Sequence, residues 1–154
     1  MKLNYIIIPL IVFLAAWIGG LITSAGMDWY KTINLPDFTP PGSVIGTVWT
    51  TIFILSAISA LLVWNRFPRG KRLIWIFITF GVNALLNVFW SYLFFGQHLL
   101  SWAVVEAVLL GFSVILLIIL IRPVVRLAAI LLYPYLIWVA FATYLTYTVW
   151  SLNI

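Results

Sequence analysis

The sequence predicts an all-α integral membrane protein: one transmembrane domain over residues 1–154, built as a bundle of five transmembrane helices. Three observations carry this reading. Hydrophobic residues make up 66% of the chain and charged residues only 7%, and the mean hydropathy is +1.21. A soluble domain of this length has no use for so much apolar surface, so the bilayer is its solvent. The eight basic and three acidic residues collect at segment ends and leave long uncharged gaps. Crossing the hydrocarbon takes about 20 apolar residues in a helix, and the gaps hold five such spans, roughly 4–24, 43–64, 73–95, 99–121 and 127–151.

The first span follows Lys2 and ends near Thr23-Ser24-Ala25-Gly26, which resembles a signal-peptide cleavage site. Its apolar run is longer than the roughly 7–15 residues of a signal core, so it is expected to persist as a helix. Mid-helix Trp17 has no polar neighbours and is expected in core packing. Residues 25–42 form the longest connection. Its Trp29-Tyr30-Lys31 and Pro36-Asp-Phe-Thr-Pro-Pro-Gly42 suggest a stiff, aromatic, lid-like loop, because each proline restricts its predecessor to extended backbone. The alternative is an interfacial loop that rests on headgroups. Pro40 or Pro41 can open the second helix, with Thr39 or Ser43 as its cap.

The third and fourth spans are divided by a short polar turn, Gly96-Gln97-His98. In the fifth, Pro134 removes a backbone hydrogen bond and is expected to kink the helix beside Trp138. Small residues recur every four positions, as Ala16, Gly20 and Ser24 in the first helix and Ala103, Ala107 and Gly111 in the fourth. Such stripes let backbones approach closely where lipid supplies no hydrophobic drive. They serve either packing within the bundle or a homodimer, and the sequence leaves both open.

Five spans put the termini on opposite faces. One face carries Lys2, Arg66, Arg69, Lys71, Arg72, Arg122 and Arg126, the other only Lys31. The positive-inside rule therefore predicts an N-terminus on the cytoplasmic side of a bacterial cell membrane. The pI of 9.8 does not indicate nucleic acid, since these cations are spread over loops rather than gathered in a stripe. The chain has no cysteine, which excludes disulfides, thiolate metal sites and a cysteine nucleophile.

Depth follows from the rise of about 1.5 Å per helical residue. Trp49, Asn87, Trp90 and Glu106 fall roughly 7–12 Å below the weakly charged face, and Asn83 and Trp138 near about 18–20 Å. Tryptophan in bilayer proteins usually lies at the water interface, as expected for Trp64, Trp75, Trp102 and Trp150. An indole N–H as deep as that of Trp138 must find a partner in protein or ligand. Helices two to five thus send aromatic or polar groups into one half of the membrane, which implies a cavity beneath the Pro-rich loop. Asn83, Asn87, Trp90, Ser91 and Phe94 share one face of helix three; Tyr135, Trp138, Ala142 and Leu145 share one of helix five. Asn83 and Asn87 can act as interhelical glue or as ligand contacts.

Glu106 is the sole acid inside a span. An ionised carboxylate there costs several kcal/mol, so it should be protonated, paired or facing water or protein. A hydrogen bond to Asn or Trp, ligand contact and a proton relay, with His98 two turns away, are the candidate roles.

Three motifs in order carry a resemblance over nearly the whole chain: Pro36-Asp-Phe-Thr-Pro-Pro-Gly42 with Gly46-Thr-Val-Trp49-Thr; Asn87-Val-Phe-Trp90-Ser91-Tyr-Leu-Phe-Phe95; and Pro134-Tyr-Leu-Ile-Trp138-Val-Ala-Phe-Ala142-Thr-Tyr-Leu. The chain resembles the tryptophan-rich sensory protein / translocator protein family, also called peripheral-type benzodiazepine receptors. That resemblance implies a five-helix bundle, commonly dimeric, that binds porphyrins and synthetic aromatic ligands below the first loop. Carried over by motif, the ligand-binding residues are Tyr30, Pro41, Trp49, Phe53, Asn87, Phe89, Trp90, Trp138 and Ala142. Members that recognise cholesterol carry a basic residue near the end of helix five. Here Tyr147-Thr-Val-Trp150-Ser-Leu-Asn-Ile154 has none, so the sterol pattern is incomplete.

The expected role is a membrane receptor or sensor for tetrapyrroles and other flat aromatic molecules. Trp49, Trp90 and Trp138 would supply ring faces, and Lys31 would meet a propionate at the mouth. Iron ligation has no support, because the single His is in a turn and Met1 and Met27 fall outside the predicted spans. A metal-free porphyrin is therefore the expected ligand, with no required cofactor and no metal site. Hydrolytic chemistry has no Ser–His–acid set or phosphate loop behind it. The resemblance also implies light-dependent porphyrin breakdown, for which Trp49 and Trp138 are the candidate redox partners. A transporter of small hydrophobic molecules, or a regulatory membrane scaffold, remains the alternative.

Overall fold

A computed structural model describes residues 3–154; Lys2, counted above among the basic residues, lies outside them. Among the described residues six α-helices form the fold: α1 (Asn4–Tyr30), α2 (Gly42–Arg66), α3 (Lys71–Ser91), α4 (Leu100–Ile121), α5 (Arg126–Ile130) and α6 (Tyr133–Leu152). A π-helical turn, Tyr92–Gly96, continues α3, and α5 with α6 makes the last span. Five segments are long and apolar enough to cross a membrane. The chain is a multi-pass, all-helical membrane protein.

The spans close into a ring. α1 packs on α2 and α3, α3 on α4, α4 on α6, and the α5–α6 segment on α2. Toward the basic end the ring is filled by Ile52, Val63, Phe67, Leu73, Ile76, Leu117, Ile121, Val125 and Leu132, all buried in one cluster. Toward the opposite, loop end a smaller cluster of Leu93, Phe94, Leu100, Ala103 and Val149 packs the wall. Side-chain volume thus closes one half of the bundle and leaves the other hollow.

Several elements depart from the sequence reading. α1 runs on to Tyr30, so the loop is residues 31–41, shorter than the expected 25–42, and Met27 is helical. Neither Thr39 nor Ser43 caps α2: Pro41 is the N-cap with no side-chain hydrogen bond, and Thr39 Oγ1 instead donates to the Pro36 carbonyl (2.7 Å). Trp17 is 54% exposed on the lipid-facing side of α1 and takes no part in the core. The α4 stripe is consumed inside the bundle, with Ala103 and Ala107 buried and Gly111 facing Val139 of α6.

Pro134 does not kink a continuous helix beside Trp138, as the sequence reading expected; the interruption falls in the turn before it. The helix breaks at Leu131–Leu132 and restarts with Pro134 in the first turn of α6, where a missing N–H costs nothing. At the break the Leu132 N–H turns to Ala129 O (3.1 Å). Buried Ser59 Oγ of α2 donates to the Ala128 carbonyl (2.8 Å). A carbonyl freed in hydrocarbon must be re-satisfied by a neighbouring side chain, and Ser59 meets that need.

The π turn has a counterpart in α1. A wider turn pushes Phe95 outward, and α1 meets it at Gly26. A Cβ there would sit 2.5 Å from the Phe95 carbonyl oxygen and 2.7 Å from Phe95 Cβ, so only glycine fits without moving backbone. Gly26→Ala should destabilise the fold by about 1–3 kcal/mol, the usual range for overpacking. Gly20→Ala, where a Cβ meets nothing within 4 Å, should be neutral. Thermal unfolding in detergent, followed by circular dichroism, distinguishes the two; equal midpoints would refute the assigned contact.

Candidate functional site: an aromatic chamber

The hollow half encloses a chamber of about 560 Å³, within the several-hundred-Å³ range of small-molecule sites. Tyr30, Trp49, Phe53, Asn87, Trp90, Trp138 and Ala142 line it. The three tryptophans come from α2, α3 and α6, and each has an aromatic neighbour. Trp90 stacks on Phe94 at 5.0 Å, Trp49 lies beside Phe53 at 5.8 Å, and Trp138 leans on Phe141 at 5.2 Å. Such pairs hold ring orientations that a lone side chain would lose.

Hydrogen bonds among three helices build the floor. Asn83 Nδ2 donates to Ser113 Oγ (2.8 Å), Ser113 Oγ to the Leu110 carbonyl (2.7 Å), Tyr135 OH to Asn83 Oδ1 (3.2 Å), and Asn87 Nδ2 to the Tyr135 oxygen (3.1 Å). α3, α4 and α6 are thereby tied at one level, each such bond contributing about 0.6–2 kcal/mol in a membrane bundle. Asn83 is glue beneath the chamber, whereas Asn87 both ties the floor and faces the space above it. Trp49 closes the arrangement edge-on to Tyr135 at 6.0 Å.

One polar group in the lining is unmet. Trp138 Nε1 is buried and has no hydrogen-bond partner among the described residues, whereas the lining Thr50 and Thr146 hydroxyls are turned back on their own helices, to Gly46 O (2.8 Å) and Ala142 O (2.8 Å). Leaving a buried donor unpaired costs about 1–3 kcal/mol; the nitrogen has almost no accessible surface, so an acceptor in the chamber meets it only after the ring turns.

The loop, residues 31–41, joins the lining residues Tyr30 and Gly42 but supplies no part of the lining itself. Asn34 N–H donates to Asn153 Oδ1 (2.9 Å), Asn153 Nδ2 returns a bond to the Asn34 carbonyl (2.9 Å), and Asn34 Nδ2 reaches Leu152 O (3.3 Å). Phe38 stacks on Tyr144 at 5.6 Å and meets Phe141 edge-on at 6.4 Å. Phe141 in turn touches Trp138. The loop is therefore latched to α6, the helix that carries Trp138.

Other expected residues lie elsewhere. Phe89 is 47% exposed and stacks on Tyr92 at 6.0 Å, outside the chamber lining. Pro41 heads α2 on the exposed surface, close to the lining Gly42 but not part of it. Glu106 is buried at 3% exposure, yet neither carboxylate oxygen has a hydrogen-bond partner. The asparagines that were to hold it bond Ser113 and Tyr135 instead. His98, its candidate relay partner, stacks on Trp29 at 3.9 Å in an exposed turn. Lys31 pairs with Asp28 at 3.1 Å on the surface, a bond weak enough to exchange for another anion.

Sequence reasoning missed the wall supplied by α1: Ala16, Gly19, Gly20, Thr23, Ser24 and Met27. Their small-residue spacing was legible but was assigned to helix packing. The same absence of side-chain volume makes room for a ligand. Among the described residues no cluster of three or more His, Cys, Asp or Glu could hold a metal.

Comparison with known proteins agrees with the whole chain. The TspO/MBR family model matches residues 7–151. "Tryptophan-rich protein TspO" of Bacillus cereus is 32% identical over 153 residues, 99% of each chain. The protein of that same name in Archaeoglobus fulgidus is 34% identical over 137 residues, 88% of this chain and 87% of its own. The human "Translocator protein" is 35% identical over 130 residues, 83% of this chain and 76% of its own.

The latch can be tested apart from any ligand. Asn153→Ala removes the side-chain bonds to the loop while leaving the α6 backbone intact. In liposomes opened to trypsin on the loop side, the fragment ending at Lys31 should appear several-fold faster than in the wild type. An unchanged rate would mean that Phe38 and the Asn34–Leu152 bond hold the loop without Asn153.

Proposed function

Starting from the chain's membership of the TspO/MBR family, we propose that it is a membrane receptor or sensor that binds a flat tetrapyrrole, a metal-free porphyrin, in the aromatic chamber. The observation that carries this reading is the convergence of Trp49, Trp90 and Trp138, from three helices, on one chamber. A porphyrin offers two large π-faces and an edge bearing carboxylates. Trp49, Trp90 and Trp138 would stack on the faces, each pair contributing about 0.5–1.5 kcal/mol beyond burial. The Trp138 N–H would donate to an acceptor at the edge, and Asn87 would offer a second polar contact from the floor. The porphyrin carboxylates would sit toward the loop end, where Lys31 can leave Asp28 for one of them. Other flat aromatic molecules with one edge acceptor fit the same walls. A transporter reading gains less: alternating access needs a second opening, and the packed basic half gives the chamber no path through.

Protoporphyrin titrated into detergent-solubilised protein, followed by its absorbance band and by tryptophan quenching, tests the proposal. Wild type should saturate, and Trp138→Phe, which keeps an aromatic ring but removes the donor and part of the stacking face, should bind about tenfold more weakly, the equivalent of about 1.4 kcal/mol. Equal affinity would move the site out of the chamber.

The same reading places the N-terminus and the Arg-rich connections on the cytoplasmic side of a bacterial membrane. The chain has no cysteine, so single-cysteine labelling is clean. Asp37→Cys should react with an impermeant maleimide on intact cells, and Arg69→Cys only after lysis; the reverse pattern would invert the topology.

A further inference from the structure

The basic end holds a second concavity that the chamber does not explain. It is a groove of about 710 Å³ along the last turn of α2 and the first two turns of α3, lined by Trp64, Arg69, Lys71, Ile74, Phe77 and Ile78 among others. The Arg69 guanidinium lies 4.6 Å over the Trp64 ring, and Trp64 packs edge-on against Phe77 at 5.1 Å. The cation is thus held at the groove's rim by an aromatic stack. α3 opens there, at Lys71, with no side-chain cap, so the N–H groups of its first turn are free to meet an acceptor.

Charge at this rim is uncompensated. The chain has three acidic residues: Asp28 and Asp37 lie at the loop end, and Glu106 is buried in α4. The ion pair among the described residues, Lys31–Asp28, is at that far end as well. Neighbouring Arg72 is engaged differently, donating to the Leu120 carbonyl at 2.9 Å. Below the rim the groove turns apolar and faces the bilayer, with Ile74 60% exposed. Cationic rim, free helix N-terminus and apolar trough lie in the order in which a phospholipid presents phosphate and acyl chain.

We propose that this groove binds one anionic phospholipid, its phosphate held between Arg69, Lys71 and the opening N–H groups of α3, and one acyl chain lying along Ile74, Phe77 and Ile78. The site is independent of the chamber and of any porphyrin reading. A neutral lipid fits the trough as well but leaves the rim charge unmet, so headgroup charge decides occupancy.

Native mass spectrometry of the detergent-released full chain, incubated with phosphatidylglycerol, phosphatidylcholine of the same chains, or glycerol phosphate, reads the site directly. Wild type should retain one phosphatidylglycerol about tenfold more strongly than phosphatidylcholine. Arg69→Ala/Lys71→Ala should lose that preference, whereas Arg122→Ala/Arg126→Ala, which removes the same charge from the same end, should keep it. Ile78→Trp, which fills the trough and leaves the charge unchanged, should also weaken retention, with helical content checked by circular dichroism. Equal losses in the two double variants would reduce the effect to general surface charge and overturn the site. So would equal retention of phosphatidylcholine, or competition by glycerol phosphate at the same concentration as lipid.

Discussion

Inside a bilayer no solvent repairs an unmet hydrogen bond, and the architecture of this chain follows from that constraint. The backbone answers it with helices. Where Pro134 interrupts one, Ser59 of a neighbouring span takes up the freed carbonyl of Ala128. Deep asparagines answer it by bonding Tyr135 and Ser113, which fixes three helices at one height. Three side chains stand against these satisfied groups: Ser56, Glu106 and Trp138 each bury a polar atom with no partner among the described residues. Of the three, Trp138 belongs to the chamber lining.

Volume divides the bundle as firmly as polarity does. Branched and aromatic side chains such as Ile52, Leu117, Ile121 and Leu132 fill the basic half. Small residues of α1 and the alternation of Ala142 with Trp138 leave the loop half hollow. The loop beside that hollow is short and fastened to Asn153, at the end of α6, through Asn34. At the far end Arg69 and Lys71 of the α2–α3 connection have no acidic partner among the described residues. Open volume thus lies at one end of the molecule and unpaired positive charge at the other.

The spans were legible because charge is excluded from hydrocarbon, and the gaps between Lys2, Asp28, Asp37, Arg66, Arg72 and Glu106 mark them directly. Depth counting also brought Trp49, Asn87, Trp90 and Trp138 together, since a helix converts residue number into height with little error. Azimuth is harder to read. Trp17 and Phe89 sit at plausible depths but on the lipid-facing sides of their helices, and a chain that is apolar all round has little amphipathic signal to reveal this. The π turn at Tyr92–Gly96 could not be foreseen from the residues, although Gly26 opposite it is its counterpart. The long extension of α1 to Tyr30 escaped notice because Asp28 looked like a span end, while a helix can continue beyond the hydrocarbon into the headgroup layer.

The central claim is that a planar ligand enters the chamber and engages the Trp138 indole. Indole ¹⁵N–¹H correlation spectra of the detergent-solubilised protein, with the Trp138 signal assigned by its loss in Trp138→Phe, test this most directly. On saturation with protoporphyrin the Trp138 resonance should move strongly downfield in proton shift, while those of exposed Trp75 and Trp102 stay in place. A stationary Trp138 signal with movement confined to Trp75 and Trp102 would contradict the account and place the ligand on the outer surface of the bundle.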